Sequence, residues 1–262
     1  MNLKIITIFY MSAISLIAAS QAITDTNRID QQGRKQGYWV KKFPNGNKQY
    51  EGMFRDDHPA GEFKRFYDDK TVSSILIYSS DGKTADARMF HPNGFIAARG
   101  KYIDQMKEGK WEFFSSVVKG FLINEEYFSK NLRNGFSLKF YSDSTVAEKI
   151  RYVMGKKEGE WLQYYQGGKL FLKSNYSGGL LNGKFEVWFE NGNNQISGTY
   201  KNNLRDGKWS IFNEDGSLKY EISYTDGNTS DRRMDIEAEE FIDNLEKNKG
   251  KTADPEKTGL VR

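Results

Sequence analysis

The sequence predicts an all-β chain: an elongated antiparallel meander of about eight 24-residue β-hairpin repeats, with a short C-terminal helix. Three observations carry that reading. Gly37, Gly61, Gly109, Gly135, Gly159, Gly183 and Gly207 recur on a 24-residue spacing, with Ala85 in the remaining slot and one step of 26 between Gly109 and Gly135. A fixed period in this range marks a repeat architecture. The second half of a unit alternates, with Leu218, Tyr220, Ile222 and Tyr224 pointing one way and Lys219, Glu221 and Ser223 the other. Alternation of period two is the pattern of a half-buried strand, because successive side chains leave opposite faces. Finally, Asn45-Gly46, Asn93-Gly94 and Asn191-Gly192 supply residues that tolerate the positive φ of tight hairpin turns. Recurrent glycines and an aromatic-rich body argue against helices in these units.

Counting each unit from its glycine as position 0, position 2 is aromatic in six units: Trp39, Phe63, Trp111, Trp161, Phe185 and Trp209. Position 5 is aromatic in seven: Phe66, Phe90, Phe114, Phe140, Tyr164, Trp188 and Phe212. Position 17 is Phe or Tyr in Phe54, Tyr78, Tyr102, Tyr152, Tyr176, Tyr200 and Tyr224, and the two-residue insertion displaces the eighth to Phe128. The glycine at position 0 follows polar pairs such as Lys157-Glu158 and Arg205-Asp206, which places it in the turn between units. Positions 2 and 5 differ by an odd number. Either both faces of the sheet carry aromatics, or a bulge near the glycine resets the register.

These spacings resemble the bacterial variant of the MORN repeat, G-x-[WF]-x-x-[FY]-x-x-[ND]-G followed about seven residues later by an aromatic. GKFEVWFENG with Tyr200 and GEWLQYYQGG with Tyr176 match it, as does Gly37-Tyr38-Trp39 running to Asn45-Gly46, where Lys42 takes the position-5 aromatic. The resemblance covers residues 37–230, and it is weakest in the third unit, where Ala85 and Ala87 replace the glycine and the first aromatic. It implies a scaffold, a membrane-associated module or a protein-binding module. Some bacterial relatives are labelled antitoxins.

Around the array, residues 1–22 carry Lys4, an apolar run and a Ser20-Gln21-Ala22 ending, the pattern of a signal peptide. Residues 23–36 are polar and expected to be a flexible lead-in. Residues 231–248 place Met234, Ala238, Phe241, Ile242 and Leu245 at helical spacing, an amphipathic helix suited to capping the open sheet. Residues 249–262, with Pro255, are expected to be disordered. The chain has no cysteine, which excludes disulfides, thiolate metal sites, thiol nucleophiles and a lipid anchor on cysteine.

Catalytic chemistry is sparse. The two histidines, His58 and His91, fall in a turn and at position 6 of the third unit, with no partner set for a general base. Asp56-Asp57 and Asp68-Asp69 lack the ligand count of a calcium loop. Gly168-Lys169-Leu170 lacks the Ser or Thr of a phosphate loop. No cofactor and no metal site is therefore expected. The formal charge of +4 divides into +1 from Lys4 in residues 1–22, +5 over residues 23–230 and −2 from Asp231 onward, too little for nucleic acid. Lys35, Lys83, Lys107, Arg133, Lys157 and Arg205 all stand two residues before a unit start. Such a row either meets anionic lipid or polysaccharide or keeps the turns soluble, and the adjacent Glu108, Glu158 and Asp206 favour solubility. The expectation is a non-enzymatic protein, secreted or periplasmic, presenting an extended β-surface for protein binding or scaffolding at the cell envelope. The alternatives are an envelope glycan- or lipid-headgroup-binding module and an antitoxin-like partner of a toxin. The position-5 aromatics are the candidate binding surface. They are either contact residues or core, and the modest hydrophobic content of 37% favours core.

Overall fold

The computed structural model describes residues 26–231 and residue 236. Residues 26–231 contain no helix and form an antiparallel meander of 18 strands. The first six are β1 (Arg28–Ile29), β2 (Lys35–Lys42), β3 (Lys48–Arg55), β4 (His58–Phe66), β5 (Val72–Tyr78) and β6 (Thr84–Phe90). Next come β7 (Ile96–Ile103), β8 (Met106–Phe114), β9 (Leu122–Ser129), β10 (Leu132–Phe140), β11 (Val146–Val153) and β12 (Lys156–Tyr164). The last are β13 (Leu170–Ser177), β14 (Leu180–Leu181), β15 (Gly183–Trp188), β16 (Asn194–Lys201), β17 (Leu204–Phe212) and β18 (Leu218–Tyr224). Each strand pairs with its chain neighbours, and β13 pairs with both halves of the interrupted strand β14 and β15. The eight expected hairpins are all present. The two strands beyond sixteen are β1 and that interruption. Among the described residues β18 pairs only with β17, so the ladder stays open.

Successive units are joined by two-residue turns in which both residues have positive φ, such as Asn202 (52°) and Asn203 (67°). That backbone matches the twist of the flanking strands. The position-0 glycine was expected in these turns and is not there. Gly207 lies inside β17, opposite Tyr224, and Gly183 lies inside β15, opposite Tyr200. The reason is a bulge. Between β16 and β17, Thr199 faces Asp206 while Ser197 faces Ser210, so three residues of β17 pass the single residue Gly198. Gly207 absorbs that bulge with a φ of 69°, a conformation other residues adopt only with strain. The two-residue shift draws Trp209 back over Gly198 and alongside Tyr200 and Tyr224. The third unit supplies the control. There Ala85 replaces the glycine and the β5–β6 register runs without a break from Tyr78↔Ala85 to Ser74↔Met89. The residues that make a bulge elsewhere form a longer loop over 79–83 instead.

Positions 2 and 5 leave opposite faces, as their odd spacing requires. The inner face takes position 2: Trp111, Trp161, Phe185 and Trp209 are each no more than 2% exposed. They join the position-17 rings in edge-to-face contacts such as Trp209–Tyr200, 5.1 Å between centroids. Three of these rings sit directly on a glycine of the preceding strand. A Cβ at Gly52, Gly100 or Gly198 would lie 2.3, 2.3 or 2.1 Å from an atom of Phe63, Trp111 or Trp209. One buried cluster is built on Trp111 with Ala87, Met89, Ala98 and Phe128. A second runs from Ile150 to Tyr224. Between them the inner face turns polar, with Ser137 where a ring would stand and two buried or half-buried carboxylates. Glu126 pairs with Arg133 at 2.8 Å, and Glu148 with Lys139 at 3.1 Å.

The described part of the lead-in, residues 26–36, is more ordered than expected. Arg28 and Ile29 pair with Gln36 and Lys35, and Asp30 closes the connection by accepting bonds from the backbone N–H groups of Gln32 and Arg34 at 2.9 Å. A short polar segment gains this order because β2 offers it an unpaired strand edge. The expected signal peptide over residues 1–22, the expected disordered tail and nearly all of the expected C-terminal helix lie outside the described residues.

Two measurements check this core. Trp209→Ala is expected to cost about 3–5 kcal/mol by burial lost and cavity left. Gly198→Ala is expected to cost about 1–3 kcal/mol because the ring must move. The double variant should cost clearly less than the sum of the singles, since without the ring the added Cβ has room; chemical denaturation of all three reads the coupling. The second concerns acid. Burial pushes the Glu148 carboxyl up, but Lys139, Gln163 and Trp161 together hold it below its ordinary 4.5. A depressed folded-state pKa gives stability that is present above the unfolded value and lost as pH falls through the folded one. Melting temperature should therefore drop below about pH 4.5, and Glu148→Gln should flatten that drop while lowering the neutral-pH value.

Candidate functional site

The position-5 aromatics form a row at the hairpin-loop end of the sheet. Phe114 is buried at 9% exposure, while Phe66, Phe90, Phe140, Tyr164, Trp188 and Phe212 are half-buried. Each faces its partner strand across one hairpin, as in Phe66↔Val72, Phe140↔Val146 and Tyr164↔Leu170. The residue at position 6 holds the row in place by reaching into the next unit. Tyr67, Tyr141 and Tyr165 donate their hydroxyls to the backbone oxygens of Phe90, Tyr164 and Trp188 at 2.6, 2.6 and 2.8 Å. His91 makes the same contact to Phe114 O through Nε2 at 3.0 Å, which fits its reading as an ordinary repeat residue.

The row is not uniform. Phe114 is covered by Arg99, whose guanidinium carbon lies 5.3 Å from the ring centroid and whose Nε is bonded to Glu112. Around Tyr164 the outer face opens instead into a groove of about 600 Å³, lined by Tyr127, Phe136, Leu138 and Val146 with Glu125 and Lys149 at its edges. Phe136 is 47% exposed and Tyr127 37%, both large for aromatic side chains inside strands. Lys149 Nζ stands 4.7 Å from the Phe136 ring, and Lys110 holds Glu125 at 2.7 Å. The groove is thus an apolar floor between charges of opposite sign. Sequence reasoning singled out Tyr164 but missed Tyr127 and Phe136. Both are aromatics at positions of a unit that are polar in most others, and that departure was the available signal.

Five of the six cations in the row lie over aromatic rings. Lys107 is 3% exposed, with Nζ at 5.0, 5.3 and 5.0 Å from the ring centroids of Trp111, Phe113 and Phe128. Lys35 lies over Trp39 and Phe54, Arg133 over Tyr152, and Lys157 over Trp161 and Tyr176. Arg205 covers Trp209 and Tyr224 and donates from Nη1 to the Tyr224 hydroxyl at 3.0 Å. A solubilising role and a lipid-facing role both require exposure, which Arg133 keeps at 43% while Lys107 does not. Stacking won because the bulge brings rings of positions 2 and 17 beneath position −2, where a long stem can bury its methylenes and keep its charge on the ring faces. The backbone oxygens of the same residues accept the N–H of the next turn, as in Asn131 N to Lys107 O at 3.1 Å. Lys83, in the unit without the bulge, remains exposed.

The other chemistry-bearing residues are structural in their contacts. His58 Nδ1 contacts Asp56 O at 2.7 Å in an exposed turn. Asp57 accepts Lys35 N at 2.8 Å, and Asp69 accepts the backbone and hydroxyl of Thr71 at 2.8 and 2.5 Å. The two aspartate pairs cap opposite ends of the 9-residue strand β4, about 30 Å apart, so they cannot share an ion. Among the described residues no group of three or more His, Asp or Glu is placed to hold a metal, and no helix is long and apolar enough to cross a membrane.

No curated protein matches the chain. Among solved structures, a mutant of S. aureus TarM in complex with Fondaparinux, α-GlcNAc-glycerol and UDP is 19% identical, with a TM-score of 0.23. The similarity covers 50% of this chain and 22% of that one. The family described as MORN repeat variant matches residues 157–177, 181–202 and 205–226. Each match starts at or next to the position −2 residue and ends at the following inter-unit turn, so it takes in one hairpin with its stacked rings. Residues 157–226 therefore carry MORN repeat variant repeats.

Proposed function

We infer that this protein is an exported, non-enzymatic repeat protein whose outer sheet face docks a partner protein at the cell envelope. The observation that carries the reading is the groove around Tyr164, where Tyr127 and Phe136 stay exposed between Glu125 and Lys149. Exposed aromatics that remain after folding, rimmed by charge, are the chemistry of protein contact sites. The rigid ladder beneath supplies a surface that needs little ordering on binding. The leader-like residues 1–22 support export.

Two experiments test it. N-terminal sequencing of the exported protein is expected to begin after Ala22; material retaining Met1 overturns the export reading. The protein starting at Ile23 is expected to retain a specific partner from the envelope fraction of its source. Phe136→Ala and Tyr164→Ala should each weaken that contact by at least about tenfold while shifting the melting temperature by only a few degrees. Unchanged retention by both variants removes the groove from the proposal.

A further inference from the structure

A second cleft lies on the inner face, where the repeat pattern fails. It encloses about 590 Å³ over β4 to β10 and is independent of the outer groove. We propose that it binds the carboxylate-bearing ring of an acidic sugar.

The third unit creates the space. Ala85 and Ala87 stand where other units have the bulge glycine and the buried ring. Tyr78 and Tyr102 both pair with Ala85, one from each side. Strands two apart lie about 10 Å from each other, so two tyrosines border a gap floored by an alanine. Both line the cleft and are half-buried.

The polar groups specify the ligand. Arg65 and Ser74 are direct cross-strand neighbours on β4 and β5, and both line the cleft. Ser74 is 1% exposed, and its Oγ has no hydrogen-bond partner. A buried hydroxyl left in that state costs stability unless something completes it. Three units later the same pair of positions holds Lys139 and Glu148, which bond at 3.1 Å. Where that unit supplies its own carboxylate, the unit of Arg65 offers a guanidinium and a hydroxyl with no carboxylate opposite. Charge agrees with this: Arg65, Lys107 and Arg133 line the cleft against the single carboxylate Glu126. A sugar acid supplies all the missing features together. Its carboxylate meets Arg65 and Ser74, its ring face meets tyrosine, and its hydroxyls meet the amides of Gln105 and Asn131 at the turn edge. A bare phosphate would leave the tyrosines unused.

The test is calorimetric titration of the protein starting at Ile23. The probes are glucuronic acid, an oligomer of uronic acids, the matching neutral oligosaccharide, and inorganic phosphate. The acidic sugars are expected to bind and the neutral one to bind at least about tenfold more weakly, the value of a charged hydrogen bond. Binding of the monomer as tightly as the oligomer assigns the site to a free sugar acid, and preference for the oligomer assigns it to a polysaccharide; either supports the cleft. Ser74→Ala should leave the melting temperature unchanged or raised, since it removes an unsatisfied group, yet weaken the acidic sugar about tenfold. Arg65→Gln should weaken the acidic sugar alone. The inference is overturned if no sugar acid binds, if phosphate competes equally, or if both variants bind like the parent. The outer-groove variant Phe136→Ala should bind the sugar normally, which separates failure here from failure of the docking surface.

Discussion

Arg205 lies 5.5 Å from the centroid of Trp209 and 5.2 Å from that of Tyr224, while Trp209 rests on the bare backbone of Gly198. The complete stack of cation, ring and glycine recurs at Lys107, Trp111 and Gly100, and parts of it recur along the array: Lys157 covers Trp161 opposite Ile150, and Phe63 rests on Gly52. The chain has no cysteine and a modest hydrophobic share, so each hairpin must bury rings against its neighbour to gain any stability. A ring that large fits a sheet face only if the opposite strand yields space and the register brings it there. Glycine beneath and the two-residue bulge beside meet those needs. The charge above then closes the ring from solvent at little desolvation cost.

Units that depart from the stack show how much it can be varied. In the unit of Gly183 the cation is replaced by Leu181, which is 7% exposed within the cluster of Phe185 and Tyr200. An apolar lid and a cationic lid thus serve one geometry. The third unit changes more: without glycine there is no bulge, and without a ring the inner face opens beside Tyr78 and Tyr102. At Ser137 the missing ring coincides with buried ion pairs in place of apolar contact. Regular units make the scaffold, and both openings in it border irregular ones.

The period, the meander and the two faces were legible in the sequence because glycine spacing and alternation are local patterns. The one-sidedness of Tyr200 and Tyr224 followed directly, and both contact Trp209. The bulge was visible only as an alternative, and the glycine that makes it was misplaced into a turn, since a glycine after a polar pair fits both settings. Gly52, Gly100 and Gly198 carried no signal of their own, because what they accommodate lies on the next strand. The cations misled for a related reason. Charge in a sequence suggests solvent, and only the register reveals that Lys107 has three rings within 5.3 Å. Within the position-5 row, burial differs from ring to ring for a reason no local pattern carries: Arg99 from the neighbouring strand covers Phe114, while Tyr164 borders the outer groove.

The open ladder also has a mechanical meaning. Among the described residues each strand bonds along the meander, with β13 reaching both β14 and β15, so tension applied between the two ends of the array reaches one strand junction at a time. Hydrogen bonds loaded in series part like the teeth of a zipper, whereas bonds sheared in parallel must fail together. The array should therefore yield by peeling, hairpin by hairpin, at low force and with a long extension before the last stack is lost. A repeat array built this way gives length under strain instead of resisting it, and each released hairpin can refold on the edge left by its neighbour.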